Sequence, residues 1–225
     1  MEKTKTKFGI KEVACLGMFI ALAYAVMALS KLIPINVAGF LTFDFKDFVI
    51  AICGFLFGAI PAVIVSIIVS LIEMVTISST GPIGLLMNVL STCAFVVPAA
   101  LFYRSRRKFS NAVIGLILGI TCMAVVMVLW NWLITPLYMG VPRETVVSML
   151  LPVFLPFNLI KGAINAAVTL LIYNPIVTAL RKANLVPQSS NKGPKKKGLT
   201  LGVTLVSIFV IISLVLVVLA WTGVI

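Results

Sequence analysis

The chain has no histidine, and with it go the commonest metal ligand and a general base suited to neutral pH. Acidic residues are nearly as scarce, six among 225. No GxxxxGK[ST] phosphate loop occurs, so the chain has no nucleotide-driven motor of that kind. Four cysteines, Cys15, Cys53, Cys93 and Cys122, fall singly inside apolar runs without paired spacing. They read as small buried hydrophobes rather than disulfides or ligands. With no metal-ligand cluster and no serine-nucleophile motif, a membrane-embedded enzyme has little to work with. The expectation is a protein that is not an enzyme and uses no cofactor or metal.

What the chain has is apolar length. Hydrophobic residues make up 61% and charged residues only 11%, more apolar surface than a soluble domain of this size can bury. Long apolar runs at roughly 12–31, 47–77, 82–103, 110–135, 150–180 and 200–224 indicate an all-α polytopic membrane protein. A basic start followed by Ala23-Tyr24-Ala25 has the outline of a cleaved signal. The apolar run continues to Leu29 and more spans follow, so the first run is read as a transmembrane helix.

The second run is one long span or two short helices broken at Gly58-Ala59-Ile60-Pro61. Charge decides between them. Basic clusters lie at Lys3/Lys5/Lys7/Lys11, at Arg104/Arg106/Arg107/Lys108, and from Arg181/Lys182 to Lys195/Lys196/Lys197. Together they hold 14 of the 18 basic residues, and cytoplasmic loops attract such charge. Only a double crossing of 47–77 puts all three on one side. Two helices, about 47–58 and 61–78, are therefore expected. The first is short, about 18 Å against about 30 Å of hydrocarbon, so the loop before it, 33–46, must dip inward to meet it. Further helices follow at 82–103, 110–135 and 153–180. A basic linker, 184–198, rich in Pro, Ser, Gly and Lys, is expected to be flexible and to lie against anionic lipid. A seventh apolar helix, 199–225, closes the sequence. The organisation expected is a six-helix substrate-binding unit (1–183), the linker (184–198) and the added helix (199–225), in a prokaryotic cell membrane with the N-terminus cytoplasmic.

Polar residues within the spans locate a site. Asn158, Lys161 and Asn165 share one face of the sixth helix, and a lysine within a span needs a partner, a ligand or water. In the expected topology Asn158, Lys161, Asn88, Asn131, Glu73 and the loop residues Asp44 and Asp47 all fall at the same outer depth. Bland readings exist for each. Trp130 and Trp132 suit an interfacial belt, and a lone asparagine often joins helices. Glu73 has Lys161 or the headgroups as partners, and Asp44 and Asp47 suit the N-terminus of the short helix. Together they describe an outward-facing pocket. Amides and an amine, with Phe40, Phe43, Phe45, Trp130, Trp132 and Phe157 as flat walls, suit a planar, heteroaromatic, hydrogen-bonding solute of little net charge. A phosphate would call for several arginines or a glycine nest.

The segments GFLTFDFKDFVIAICGFLFGAIPA (39–62) and PFNLIKG (156–162) resemble the riboflavin-binding S component of energy-coupling factor (ECF) transporters, the RibU family, over about residues 8–183. The resemblance implies a six-helix bundle that captures riboflavin from outside, as transported ligand rather than cofactor. It implies that Gly39, Phe40, Leu41 and Thr42 close over the flavin while Asn131, Asn158 and Lys161 bond its polar edge or ribityl chain. Asn88 and Asp44 are further carry-overs. The implied partners are a transmembrane coupling subunit and two cytoplasmic ATPase subunits, docked through a small-residue face on the first helix, here Gly17, Ala21 and Ala25. Spacing of four lets a partner helix approach closely, although packing within the bundle would use the same residues. Lipid is the expected surrounding, and no nucleic acid is expected despite a net charge of +12. The seventh helix departs from the family pattern. Alternatives are an S component for another vitamin or flavin analogue, or an ion-coupled carrier using Glu73 and Lys161 as a relay.

Overall fold

The computed structural model describes residues 9–32, 36–37, 41–78, 80–186 and 197–221. Helix α1 (Ile10–Leu32) leads to two short antiparallel strands, β1 (Asn36–Val37) and β2 (Leu41–Thr42), paired Asn36 with Thr42 and Val37 with Leu41. Then come α2 (Lys46–Phe57), α3 (Ala59–Thr76), α4 (Gly81–Arg106) and α5 (Phe109–Leu133). Two short helices, α6 (Thr135–Met139) and α7 (Arg143–Met149), precede one π-helical turn (Leu150–Phe154), α8 (Leu155–Lys182) and α9 (Lys197–Trp221). Among the described residues, six helical segments are long and apolar enough to cross a membrane: Ile10–Leu32, Ala59–Thr76, Gly81–Arg106, Phe109–Leu133, Arg143–Lys182 and Gly202–Trp221. The linker expected at 184–198 falls mostly outside the described residues, and α9 starts at Lys197, two residues before the expected boundary.

The break in the second apolar run is where the sequence places it. Gly58 ends α2 and begins α3 with φ 102°, a backbone geometry that only glycine adopts without strain. Pro61 sits in the first turn of α3, where its missing N–H costs nothing. Helix α2 has 12 residues, and every residue from Lys46 to Phe55 is buried. It packs against α1, α3, α4 and α8. A helix enclosed on all sides need not match the bilayer thickness, which is why so short an element is stable here.

Helix α5 lies close against α4 because Gly115 and Gly119 face that helix. A Cβ on Gly115 would sit 2.8 Å from the Ala99 carbonyl oxygen, and one on Gly119 would overlap the Phe95 carbonyl. This is the small-residue contact by which membrane helices pack without a hydrophobic driving force. At the start of α8, Pro152 and Pro156 both lack an N–H, and the Leu155 N–H reaches back to the Leu150 carbonyl. The resulting π turn lies directly before Asn158, and such turns often mark functional sites.

Strand pairing, helix order and direction give the bundle two distinct ends. One collects the C-termini of α1, α3 and α5 and the N-termini of α2, α4 and α8. The other carries Arg104, Arg106, Arg107, Lys108, Arg181 and Lys182.

Candidate functional site

At the first of these ends lies a cavity of about 170 Å³. Its polar lining comes from Lys31, Thr42, Asp44, Glu73, Ser78, Thr80, Asn88, Ser91, Asn131, Asn158 and Lys161, and its apolar lining from Leu41, Met87, Met127 and Phe157. Five long helices and the β2 segment contribute, so the site exists only when the bundle is assembled.

Lys31, Asp44, Glu73 and Lys161 of that lining form a charge-balanced cluster together with Lys46 and Asp47. Lys46 is fully buried and reaches Asp44 at 3.2 Å and Glu73 at 3.1 Å. Glu73 also holds Lys31 at 2.9 Å and accepts a 2.9 Å hydrogen bond from the Asn88 amide. Lys161 lies 3.2 Å from Asp44 and 3.7 Å from Asp47. Asp47 accepts a 2.6 Å hydrogen bond from the Thr92 hydroxyl. Three lysines thus face three carboxylates, and burial on this scale is tolerable only because each charge has opposite partners. These are half of the six acidic residues in the chain. Of the four basic residues outside the three basic clusters, Lys31, Lys46, Arg143 and Lys161, three meet here.

The asparagines divide by role. Asn131 donates to the Met127 carbonyl at 2.6 Å and accepts from the Thr135 hydroxyl at 2.8 Å. Asn158 donates to the Phe154 carbonyl at 2.8 Å. Each amide carries a second N–H besides the one donated there, and both side chains border the cavity. Asn165, one turn deeper on α8, does not border it. Its oxygen accepts the Phe48 N–H at 3.0 Å, and its amide donates to the Asp44 carbonyl at 3.4 Å and the Lys161 carbonyl at 3.0 Å. Helix α2 has no side-chain cap of its own. Asn165 supplies one from another helix, satisfying a first-turn donor that would otherwise be orphaned.

Of the residues singled out from sequence, Leu41, Thr42, Asp44, Asn88, Asn131, Asn158 and Lys161 surround this one cavity. Gly39 and Phe40 lie outside the described residues. Several expectations are corrected. Glu73 does not pair with Lys161 but with Lys31 and Lys46. Asp44 and Asp47 do stand at the start of α2, Asp47 in its first turn, but no side-chain cap bond forms there, and both also hold lysines. Of the expected aromatic walls, Phe157 lines the cavity, with Phe43 behind it at a ring separation of 4.6 Å. Trp130 packs into the main core, and Trp132 is exposed, with the Arg143 guanidinium 5.5 Å over its ring. Sequence reasoning missed Lys31, Lys46, Ser78, Thr80 and Ser91. The signal for the two lysines was their isolation from the basic clusters.

Gly17, Ala21 and Ala25 are all exposed on α1, while Cys15, Phe19, Ala23 and Met27 face inward. Among the described residues, the small-residue face is therefore not used for packing within the bundle.

Comparison with known proteins places this geometry. Residues 11–173 match the family model described as ECF transporter, substrate-specific component. The chain is 26% identical over 178 residues to the riboflavin transporter RibU of Staphylococcus aureus, covering 76% of this chain and 93% of that protein. It is 24% identical over 188 residues to the riboflavin transporter FmnP of Bacillus subtilis (78% and 98% covered), and 28% identical over 183 residues to RibU of Streptococcus thermophilus (76% and 85%). A solved chain described as the S component of a bacterial ECF transporter superposes with a TM-score of 0.63 at 27% identity, covering 75% of this chain and 96% of that one.

Proposed function

The chain belongs to the family of ECF transporter substrate-specific components, and from that premise we propose that it captures riboflavin outside the cell for an ATP-driven ECF importer. The observation that carries the reading is the composition of the cavity. Its ions neutralise one another, leaving amides and hydroxyls from Thr42, Ser78, Thr80, Asn88, Ser91, Asn131 and Asn158 to recognise a ligand. Leu41, Met87, Met127 and Phe157 offer apolar contact. A neutral, flat, hydrogen-bonding ring system suits that lining. The three relatives named as riboflavin transporters support the same substrate. No arginine lines the cavity among the described residues, so a phosphate ester has no planar fork to bind it there. The cavity is smaller than the roughly 300–1,000 Å³ usual for drug-sized ligands, so seating a flavin widens it.

The cavity lies at the end away from Arg104–Lys108 and Arg181/Lys182, which the positive-inside tendency assigns to the cytoplasm. That orientation supports capture from outside. The exposed Gly17, Ala21 and Ala25 face of α1 is the surface on which the transmembrane coupling subunit would dock, with two ATPase subunits beyond it. The alternative of an ion relay through Glu73 and Lys161 loses its direct contact, since each is held by other partners.

Uptake distinguishes the readings. In cells dependent on this chain for riboflavin, deleting the ATPase subunits is expected to abolish uptake, and excess riboflavin to compete better than its phosphate ester. Uptake that survives the deletion and stops when the ion gradient is collapsed would replace this reading with a gradient-driven carrier.

A further inference from the structure

The seventh helix, outside the family match at residues 11–173, ends against the wall of the candidate site. On α9, Ser207, Ile211, Leu214, Val218 and Trp221 are spaced by four, three, four and three residues. Ser207 and Val218 are buried and the others half-buried. This is the seam of a helix packed lengthwise on a neighbour, and that neighbour is α8. Phe209, Ile212, Leu216 and Val217 point outward. Near the end of the seam, Val218 is 3% exposed within an apolar cluster made with Val37, Leu41, Phe43, Val146, Phe154 and Phe157, and Trp221 packs on the same cluster. Val37 and Leu41 are cross-strand partners in the β1–β2 pair. Leu41 and Phe157 belong to both the cluster and the cavity lining. Leu41 and Phe157 thus connect the cluster that α9 joins to the cavity lining.

We propose that α9 braces the substrate site, with Val218 and Trp221 as positioning residues that hold the β1–β2 pair and the Leu41–Phe43–Phe157 wall in place and so slow the departure of bound ligand. The physical reason is specific to this end of the helix. Lipid is as good a solvent for an apolar helix as another helix is, so α9 gains little from apolar burial alone. The β1–β2 pair is only two residues per strand, too short to be stable without packing on one face. Val218 and Trp221 contribute to that packing. They stand apart from the ion cluster, so their loss leaves the polar groups of the site as they are.

The ligand half of this inference rests on the riboflavin reading, and the brace is tested without it. In the full chain, the thiol of a Val37→Cys variant is buried, and a membrane-impermeant maleimide labels it only when the strand pair lifts. The native cysteines lie in helices α1, α2, α4 and α5, and the parent chain gives their background. Adding Trp221→Ala or Val218→Ala is expected to speed labelling roughly tenfold, the equivalent of about 1.4 kcal/mol. The outward-facing Phe209→Ala serves as control and is expected to change nothing. In chains with native Val37, flavin dissociation followed by fluorescence recovery is expected to accelerate by a similar factor, with little change in association rate. Labelling that is unchanged in both variants overturns the brace, whatever the flavin does. Faster labelling in a protein that binds no riboflavin leaves the brace standing and removes the substrate reading alone.

Discussion

Replacing Lys46 by methionine removes the one fully buried cation of the cluster while keeping its volume. Asp44 then retains Lys161 at 3.2 Å, and Glu73 retains Lys31 at 2.9 Å and the Asn88 amide. The cluster passes from three lysines against three carboxylates to two against three. Uncompensated charge of this kind costs about 3–5 kcal/mol when one member of a buried pair is removed. A chain of 150–250 residues loses roughly 2–4 °C of Tm per kcal/mol, so the thermal midpoint in detergent is expected to fall by about 6–20 °C. Pairing Lys46→Met with Glu73→Gln restores two against two. The amide oxygen introduced by Glu73→Gln remains an acceptor for Asn88, while Lys31, the partner left over, is partly exposed at 26% and can turn toward solvent. The double variant is therefore expected to recover at least half of the loss, a coupling that the four-protein cycle measures directly. A single variant within about 2 °C of the parent, or a double variant whose loss is the sum of the two singles, would refute the charge-balance reasoning.

Asn165→Ala leaves the Phe48 N–H without its acceptor, which costs about 1–3 kcal/mol for a buried donor. It is expected to lower Tm while leaving the cavity-bordering amides in place. An unchanged Tm would show that water replaces the cap. Gly119→Ala forces a methyl group against the Phe95 carbonyl, whereas a Cβ at Gly202 meets nothing within 4 Å. The first substitution is expected to reduce folded yield and Tm far more than Gly202→Ala, and equal effects would contradict the α4–α5 packing. Ala21→Leu and Ala25→Leu add bulk at exposed positions of α1. They are expected to abolish uptake with binding and Tm intact, and assembly with the coupling subunit that survives both changes would place the docking face elsewhere.

Much of the fold was legible because charge and hydropathy act over whole segments. The three basic clusters forced the double crossing of 47–77, and the Gly58–Pro61 break with its short, enclosed α2 follows from that requirement. The polar stripe on α8 was equally visible, since spacing alone puts Asn158, Lys161 and Asn165 on one face. Spacing does not say what that face meets. Asn165 meets the α2 backbone, whereas Asn158 meets the cavity, and nothing local separates them. Lys31 and Lys46 were passed over because lysines at the ends of apolar runs ordinarily snorkel to the interface. Here both converge on Glu73. The aromatic walls were misjudged for a related reason. Trp130 and Trp132 flank Asn131 in sequence, but consecutive helical residues diverge by about 100°, and only the asparagine borders the cavity. The placement of α9 depended on its packing along α8 and on a cluster that joins Val218 to Val37 and Leu41, far earlier in the chain, which no local pattern encodes.

The central claim is that the cavity bordered by Asn158 and Lys161 holds riboflavin. It is tested by titrating the purified full chain with riboflavin and following the quenching of flavin fluorescence, in the parent, Asn158→Ala and Lys161→Ala proteins. Saturable quenching is expected in the parent. Asn158→Ala removes a cavity-bordering amide, and Lys161→Ala unbalances the ions that share the lining. Each is expected to lose about 1–3 kcal/mol of binding, a Kd raised about 5- to 150-fold, with Asn158→Ala near the parent Tm and Lys161→Ala lowered in Tm as Lys46→Met is. No quenching in the parent, or unchanged affinity in both variants, would contradict the account.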